Sequence, residues 1–231
     1  MKKSVLTVVL LVIFWASFAQ PGVLDQSFGN NGKVTIPIPL GDRVHPVDLK
    51  LQPDQKILVL VTADTGQSWS NTVNFFKYQL FRFNPDGTQD NSFGTNGSTP
   101  VVDRERPVSM ELLANGKILL NTVHYDGLST RLSPYNYDSI NLCLTRYNTN
   151  GTIDNTFGIN GRTITPIDTT TAIATGLIEL SNGKIIQTAI TFVPNTSNTT
   201  PSHTVLVGYD QNGNIDPSFG TNGMVKVQRA G

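Results

Sequence analysis

The sequence predicts an all-β protein: a β-propeller-like array of four-stranded antiparallel blades, three full blades plus an overhanging strand. Three observations carry this expectation. One phrase occurs four times, as LDQSFGNNG (24–32), QDNSFGTNG (89–97), IDNTFGING (153–161) and IDPSFGTNG (215–223). Its aspartates, Asp25, Asp90, Asp154 and Asp216, are 65, 64 and 62 residues apart, and a fixed period of this size marks a repeat architecture. Between the phrases lie short β-rich runs bounded by turn residues, with no sustained helical period beyond the N-terminus.

The first repeat after Gly32 reads as four strands. Residues 33–38 form a β-rich run, strand a, ending at Pro39. Residues 47–51 alternate apolar and charged, strand b. Pro53-Asp54-Gln55 turns the chain into 56–61, strand c, which is apolar on both faces. A polar stretch then leads to 75–83, strand d, and Asn84-Pro85-Asp86-Gly87 turns into the next phrase.

The second repeat copies this with 98–102, 108–112, 117–120 and 141–147, its hairpin marked by Asn115-Gly116. The third has 162–165, 174–180, 184–189 and 204–209, and its strand b alternates poorly. The repeats therefore run at about 24–88, 89–152 and 153–214, with a partial unit at 215–231. A fourth strand a at 224–227 makes thirteen strands. A propeller usually closes with about four to eight blades. The chain is expected to be part of a longer array, with an open arc or half of a dimeric ring as alternatives.

Every member of the phrase has a structural task. Phe28, Phe93, Phe157 and Phe219 recur once per repeat and are expected to plug the seams between blades. The aspartates can accept backbone N–H groups and fix a tight turn. Gly29, Gly94, Gly158 and Gly220 supply left-handed backbone or close approach.

With the phrase stand Arg82-Phe83-Asn84-Pro85-Asp86-Gly87, Arg146-Tyr147-Asn148 and the Asn-Gly-Lys-Ile of strand c. Together these resemble the delta-60 repeat family, bacterial exported proteins of unknown function, and the resemblance implies propeller-like blades. It spans residues 23–227. Asp54-Gln55 replaces Asn-Gly in the first unit, and Gly208-Tyr209-Asp210 replaces Arg-aromatic-Asn in the last.

Composition narrows the function. Seventeen basic and seventeen acidic residues balance, which argues against an electrostatic grip on nucleic acid or an anionic membrane. Residues 1–19 read as a signal peptide: Lys2 and Lys3, an apolar run over 5–14, and Ser17-Phe18-Ala19 before Gln20. The mature domain, 20–231, is then secreted or displayed at the cell surface, without membrane insertion after cleavage. The lone Cys143 forms no internal disulfide and reads as a small buried hydrophobe. His45, His124 and His203 share no repeat position and read as solvated loop residues.

No catalytic motif stands out, so an enzyme is not expected, and neither is a cofactor. Calcium is the alternative. Asn84-x-Asp86-Gly87-x-x-Asp90 and its copies at 148–154 and 210–216 supply oxygen ligands in Gly-containing loops, although Asx-Gly is equally a hairpin turn. The long, dissimilar loops between strands c and d are the stronger candidates for recognition. They and their borders carry Trp69, Tyr125, Tyr135, Tyr137 and Phe192, which could stack on sugar rings or anchor a protein partner. The expected function is a non-catalytic glycan- or protein-binding module. A purely structural array and a glycan-active propeller enzyme are the alternatives, and self-association is expected if the blades do not close.

Overall fold

The structure is a computed structural model that describes residues 22–36, 38, 43–64, 76–125, 140–167, 171–192 and 203–228. Twelve strands form three four-stranded antiparallel sheets, with no helix among the described residues. The first sheet is β1 (Arg43–Leu51), β2 (Ile57–Asp64), β3 (Phe76–Phe83) and β4 (Val102–Asp103). The second is β5 (Glu105–Leu112), β6 (Ile118–Tyr125), β7 (Ile140–Tyr147) and β8 (Arg162–Thr165). The third is β9 (Thr171–Glu179), β10 (Ile185–Phe192), β11 (His203–Tyr209) and β12 (Met224–Gln228). Strands of each sheet follow chain order and pack on the next sheet, but the sheets do not close into a ring.

Turn chemistry sets the hairpins. Gly116 has φ +80°, its N–H donates to Leu113 O at 2.8 Å, and Asn115 Oδ1 accepts from Lys117 N at 3.0 Å. The first unit reaches the same geometry without glycine, by holding Gln55 at φ +66°, a conformation that non-glycine residues adopt at some strain.

The blades and the sequence repeat are out of phase. Each sheet takes strands b, c and d from one unit and strand a from the next, so the second and third phrases, each joining strands d and a of one sheet, also clasp the sheet that follows. This corrects the expected overhang: β12 completes the third sheet, and the described residues hold no thirteenth strand. Residues 33–36 and 38, expected as strand a of the first unit, are not strand. They lie over the outer face of the first sheet, where Val34, Ile36 and Ile38 pack against Val61, Ala63, Phe81 and Phe83. A strand needs a partner for its backbone, and among the described residues no sheet precedes this segment.

Apolar residues fill both inner seams. Leu58, Leu60, Tyr78 and Leu80 meet Met110, Ile118, Leu120 and Tyr147 between the first and second sheets, with Phe93 among them. Leu119, Val123, Leu142 and Leu144 meet Ile185, Ala189, Val205 and Val207 between the second and third, with Phe157 among them. A buried polar chain crosses the latter seam. Gln187 Nε2 donates to Asn121 Oδ1 at 2.8 Å, and Tyr209 donates its hydroxyl to Gln187 Oε1 at 2.9 Å.

The phrase is the clasp of each seam. Its Phe ring lies on the glycine of the turn one repeat further on, so a Cβ at Gly151 would stand 2.9 Å from Phe93 Cε2, and one at Gly213 only 2.6 Å from Phe157 Cζ. Beside each ring the phrase glycine donates its N–H to that turn: Gly29 to Asp86 O, Gly94 to Asn150 O and Gly158 to Asn212 O, each at 2.7 Å. An arginine closes the second and third copies from above. Arg82 stacks 4.6 Å over Phe93, pairs with Asp90 at 2.7 Å, and donates to Thr149 O at 2.6 Å. Arg146 repeats this over Phe157 with Asp154 and Gln211 O.

Lys56 and Lys117 add a second cation to the same carboxylates, at 2.9 and 2.7 Å. Burial of Asp90 opposes its ionisation, but bonds from Ser92 and Lys56 and the charge of Arg82 outweigh it and hold the carboxyl well below its usual range. Asp154 is likewise depressed against its burial, by Lys117, Thr156 and Arg146.

The end copies differ. Phe93 and Phe157 are fully buried, whereas Phe28 and Phe219 are half-buried. Asp25 binds Ser27 through its N–H and hydroxyl at 2.9 and 2.6 Å. At the fourth copy Gly208 replaces the arginine, and Phe219 drops against it: a Cβ there would meet the ring at 2.5 Å. Asp216 keeps Lys184 at 2.6 Å, and bonds from Lys184 and Ser218 bring its pKa to about 2.

Two outcomes follow from the clasps. Phe157→Ala should lower unfolding free energy in urea by about 3–5 kcal/mol, and Phe219→Ala by distinctly less, because its ring is already half in water. The clasp carboxylates have depressed folded pKa values. Their contribution is complete above the unfolded value of 3.8 and is lost as pH falls below it. Tm should therefore drop between about pH 4 and pH 2, and Asp90→Asn with Asp154→Asn should lower and flatten that profile.

Candidate functional site

The innermost strands β1, β5 and β9 run side by side, and each is broken at one equivalent position. Pairing with the neighbouring strand slips between Pro46 and Asp48, between Pro107 and Ser109, and opposite Thr188/Ala189. Val47, Val108 and Thr175 are thus the extra residues of three β-bulges. Pro46 and Pro107 are tolerated because an edge strand has a side without ladder bonds. A bulge bends its strand and re-aims side chains. In the third unit it also explains the poor alternation: Ala174 and Leu177, three apart, pack into the same core.

The bulges surround a cleft of about 680 Å³ at the junction of the three sheets. Pro46, Val47, Pro107, Val108, Ile173 and Ala174 form its apolar walls, while His45, Thr62 and Arg106 supply polar groups. Phe76 stands at its edge, where Tyr125 stacks on it at 5.8 Å and 22°, and the Arg106 guanidinium lies 5.5 Å from the Phe76 ring centre. This is the end of the sheets from which the c–d connections leave, after β2 and β6 and before β3 and β7.

Of the residues predicted for recognition, Tyr125 is thereby brought to the cleft, half-buried. Phe192 ends β10 at the same end of its sheet, its backbone opposite Thr171. Trp69, Tyr135 and Tyr137 lie outside the described residues. Sequence reading missed Phe76, which looked like an ordinary member of strand d, and Arg106, which carries no motif. It also misplaced the histidines: His45, His124 and His203 all stand in strands.

His124 belongs to a buried cluster. Glu105 is fully buried, pairs with Arg162, accepts the Thr122 hydroxyl at 3.0 Å, and lies 3.6 Å from His124 Nδ1. Cys143, buried as expected, places Sγ 3.7 Å from the same carboxylate. A buried carboxylate requires such compensation, and this one ties β5, β6, β7 and β8 together. It opens β5 directly after Arg104, which has φ +62°.

The oxygen-rich turns use their side chains internally. Asp86 Oδ1 accepts Thr88 N and Oγ1 at 2.9 and 2.7 Å, Asn150 does the same with Thr152, and Asp90 faces its clasp cations instead. Among the described residues no group of three or more His, Cys, Asp or Glu is placed to hold a metal ion.

One family model matches the chain, described as "Domain of unknown function (DUF5122) beta-propeller", over residues 52–93 and 136–157. Both matches run through strand d and its turn and end on a clasp phenylalanine, Phe93 or Phe157. This supports a propeller-type repeat. No curated protein matches the chain.

With the turn oxygens engaged in this way, Tm in millimolar calcium should equal Tm in chelator, measured by differential scanning calorimetry. A ligand binding only the folded state at about 100 times its dissociation constant would instead add about 2.7 kcal/mol.

Proposed function

We propose that this chain is a non-catalytic binding module that takes glycan or protein at the c–d end of its blades, outside the cytoplasm. One observation carries the reading: the bulge-built cleft, edged by the Tyr125–Phe76–Arg106 stack. Apolar walls with a few polar groups are typical of ligand sites. An aromatic face beside a guanidinium suits a sugar ring or an aromatic side chain. Three blades contribute to one cleft, so its lining varies from blade to blade while the seams stay constant. The export pattern of residues 1–19 supports a ligand met outside the cell.

A structural array is the second reading. It is favoured by apolar residues left open at both ends of the stack, including Leu49, Leu51 and Ile178.

Binding to a glycan array and to a panel of extracellular proteins tests the first reading. Phe76→Ala combined with Arg106→Ala should weaken any captured ligand by about tenfold or more, since interface aromatics and arginines commonly carry most of the energy. An unchanged affinity in the double variant would remove the cleft from recognition.

A further inference from the structure

The fourth phrase is built like the other three but holds no turn. Where Gly29, Gly94 and Gly158 each donate to a turn carbonyl, the Gly220 N–H has no acceptor among the described residues. The place the turn would fill is a cleft of about 740 Å³, lined by Gly220, Thr221, Asn222, Met224, Val225 and Lys226. Val225 stands where Val34 and Thr163 stand in earlier copies, and those two contact the turn glycines Gly87 and Gly213.

The opposite end of the stack shows the complementary surface. Leu49 occupies the position in β1 that Met110 occupies in β5. Met110 is 1% exposed, packed against the first sheet, whereas Leu49 is 62% exposed. Leu51 is open beside it, as is Ile178 on the far face of the third sheet. The face presented by the third sheet is therefore the kind on which a further sheet docks, and the face presented by the first sheet is the kind that docks.

We propose that the third sheet of one molecule stacks on the first sheet of a second copy of this chain. Phrase 215–223 then takes the turn 84–87 of that copy in place of the copy's own phrase 24–32, and the third sheet takes the place of Val34, Ile36 and Ile38 over the copy's outer face. The displaced phrase is the weaker clasp. The carboxylates of the second and third phrases carry an arginine and a lysine, and that of the fourth a lysine, whereas Asp25 is exposed and bonded to Ser27. The contact joins two different surfaces, so repetition gives a head-to-tail chain or a closed ring rather than a two-fold dimer.

Sedimentation velocity of the full chain across micromolar concentrations tests this. Leu49→Glu, at an exposed site that leaves the core intact, should raise the dissociation constant about tenfold or more. Phe28→Ala, which loosens the displaced phrase, should lower it by a similar factor. The proposal is overturned if both the parent chain and Phe28→Ala stay monomeric throughout. It is equally overturned by association that Leu49→Glu leaves intact, or that Phe28→Ala weakens or leaves unchanged.

Discussion

A phenylalanine ring resting on an α-carbon that carries no side chain is the contact on which this molecule depends. Gly151 and Gly213 serve two ends at once. Their positive φ turns the chain after strand d, and their lack of a Cβ lets Phe93 and Phe157 approach. The backbone demand alone would not exclude asparagine, which tolerates left-handed backbone; the ring does. Around that contact sit a main-chain bond of 2.7 Å and an arginine that stacks on the ring while pairing with the phrase aspartate. The clasp therefore couples backbone shape, apolar burial and charge in one place. That explains why nearly every position of the phrase recurs.

The third unit shows how tightly these parts are linked. Gly208 removes the arginine, and the space it vacates is taken by Phe219 rather than left empty. Lys184 stays with Asp216, so the carboxylate remains compensated by one cation instead of two. A single substitution has changed which group covers the ring, without changing the backbone path through Asp216, Phe219 and the turn at 221–224.

Much of this fold could be read from residue order, because strands b, c and d are bounded by local turn chemistry and by apolar patterns. The outermost strand was read less well. Residues 162–165 matched β8, yet 34–36 and 38 are not strand, since a strand a depends on a sheet supplied by another part of the chain. The bulges were also hidden. A residue such as Val108 looks like any other strand valine until its partner strand is placed, and so the cleft behind it leaves no mark in the sequence. The pairing of Arg106 with Phe76, 30 residues apart in the numbering, is a product of sheet-on-sheet stacking in the same sense, and the burial of Glu105 beneath Arg162 is a product of strand pairing across the second sheet.

The one-strand offset between repeat and sheet bears on how such a chain can change length. A segment copied from one Asp-x-Ser/Thr-Phe-Gly to the next, 62 to 65 residues, brings the outer strand that finishes the blade before it and the three that begin the blade after it. Unequal crossing-over between homologous copies would then add or delete a blade while leaving each sheet with four strands and each junction fastened. A lineage could in this way try out different blade numbers by duplication alone, with no intermediate that exposes an unfinished edge.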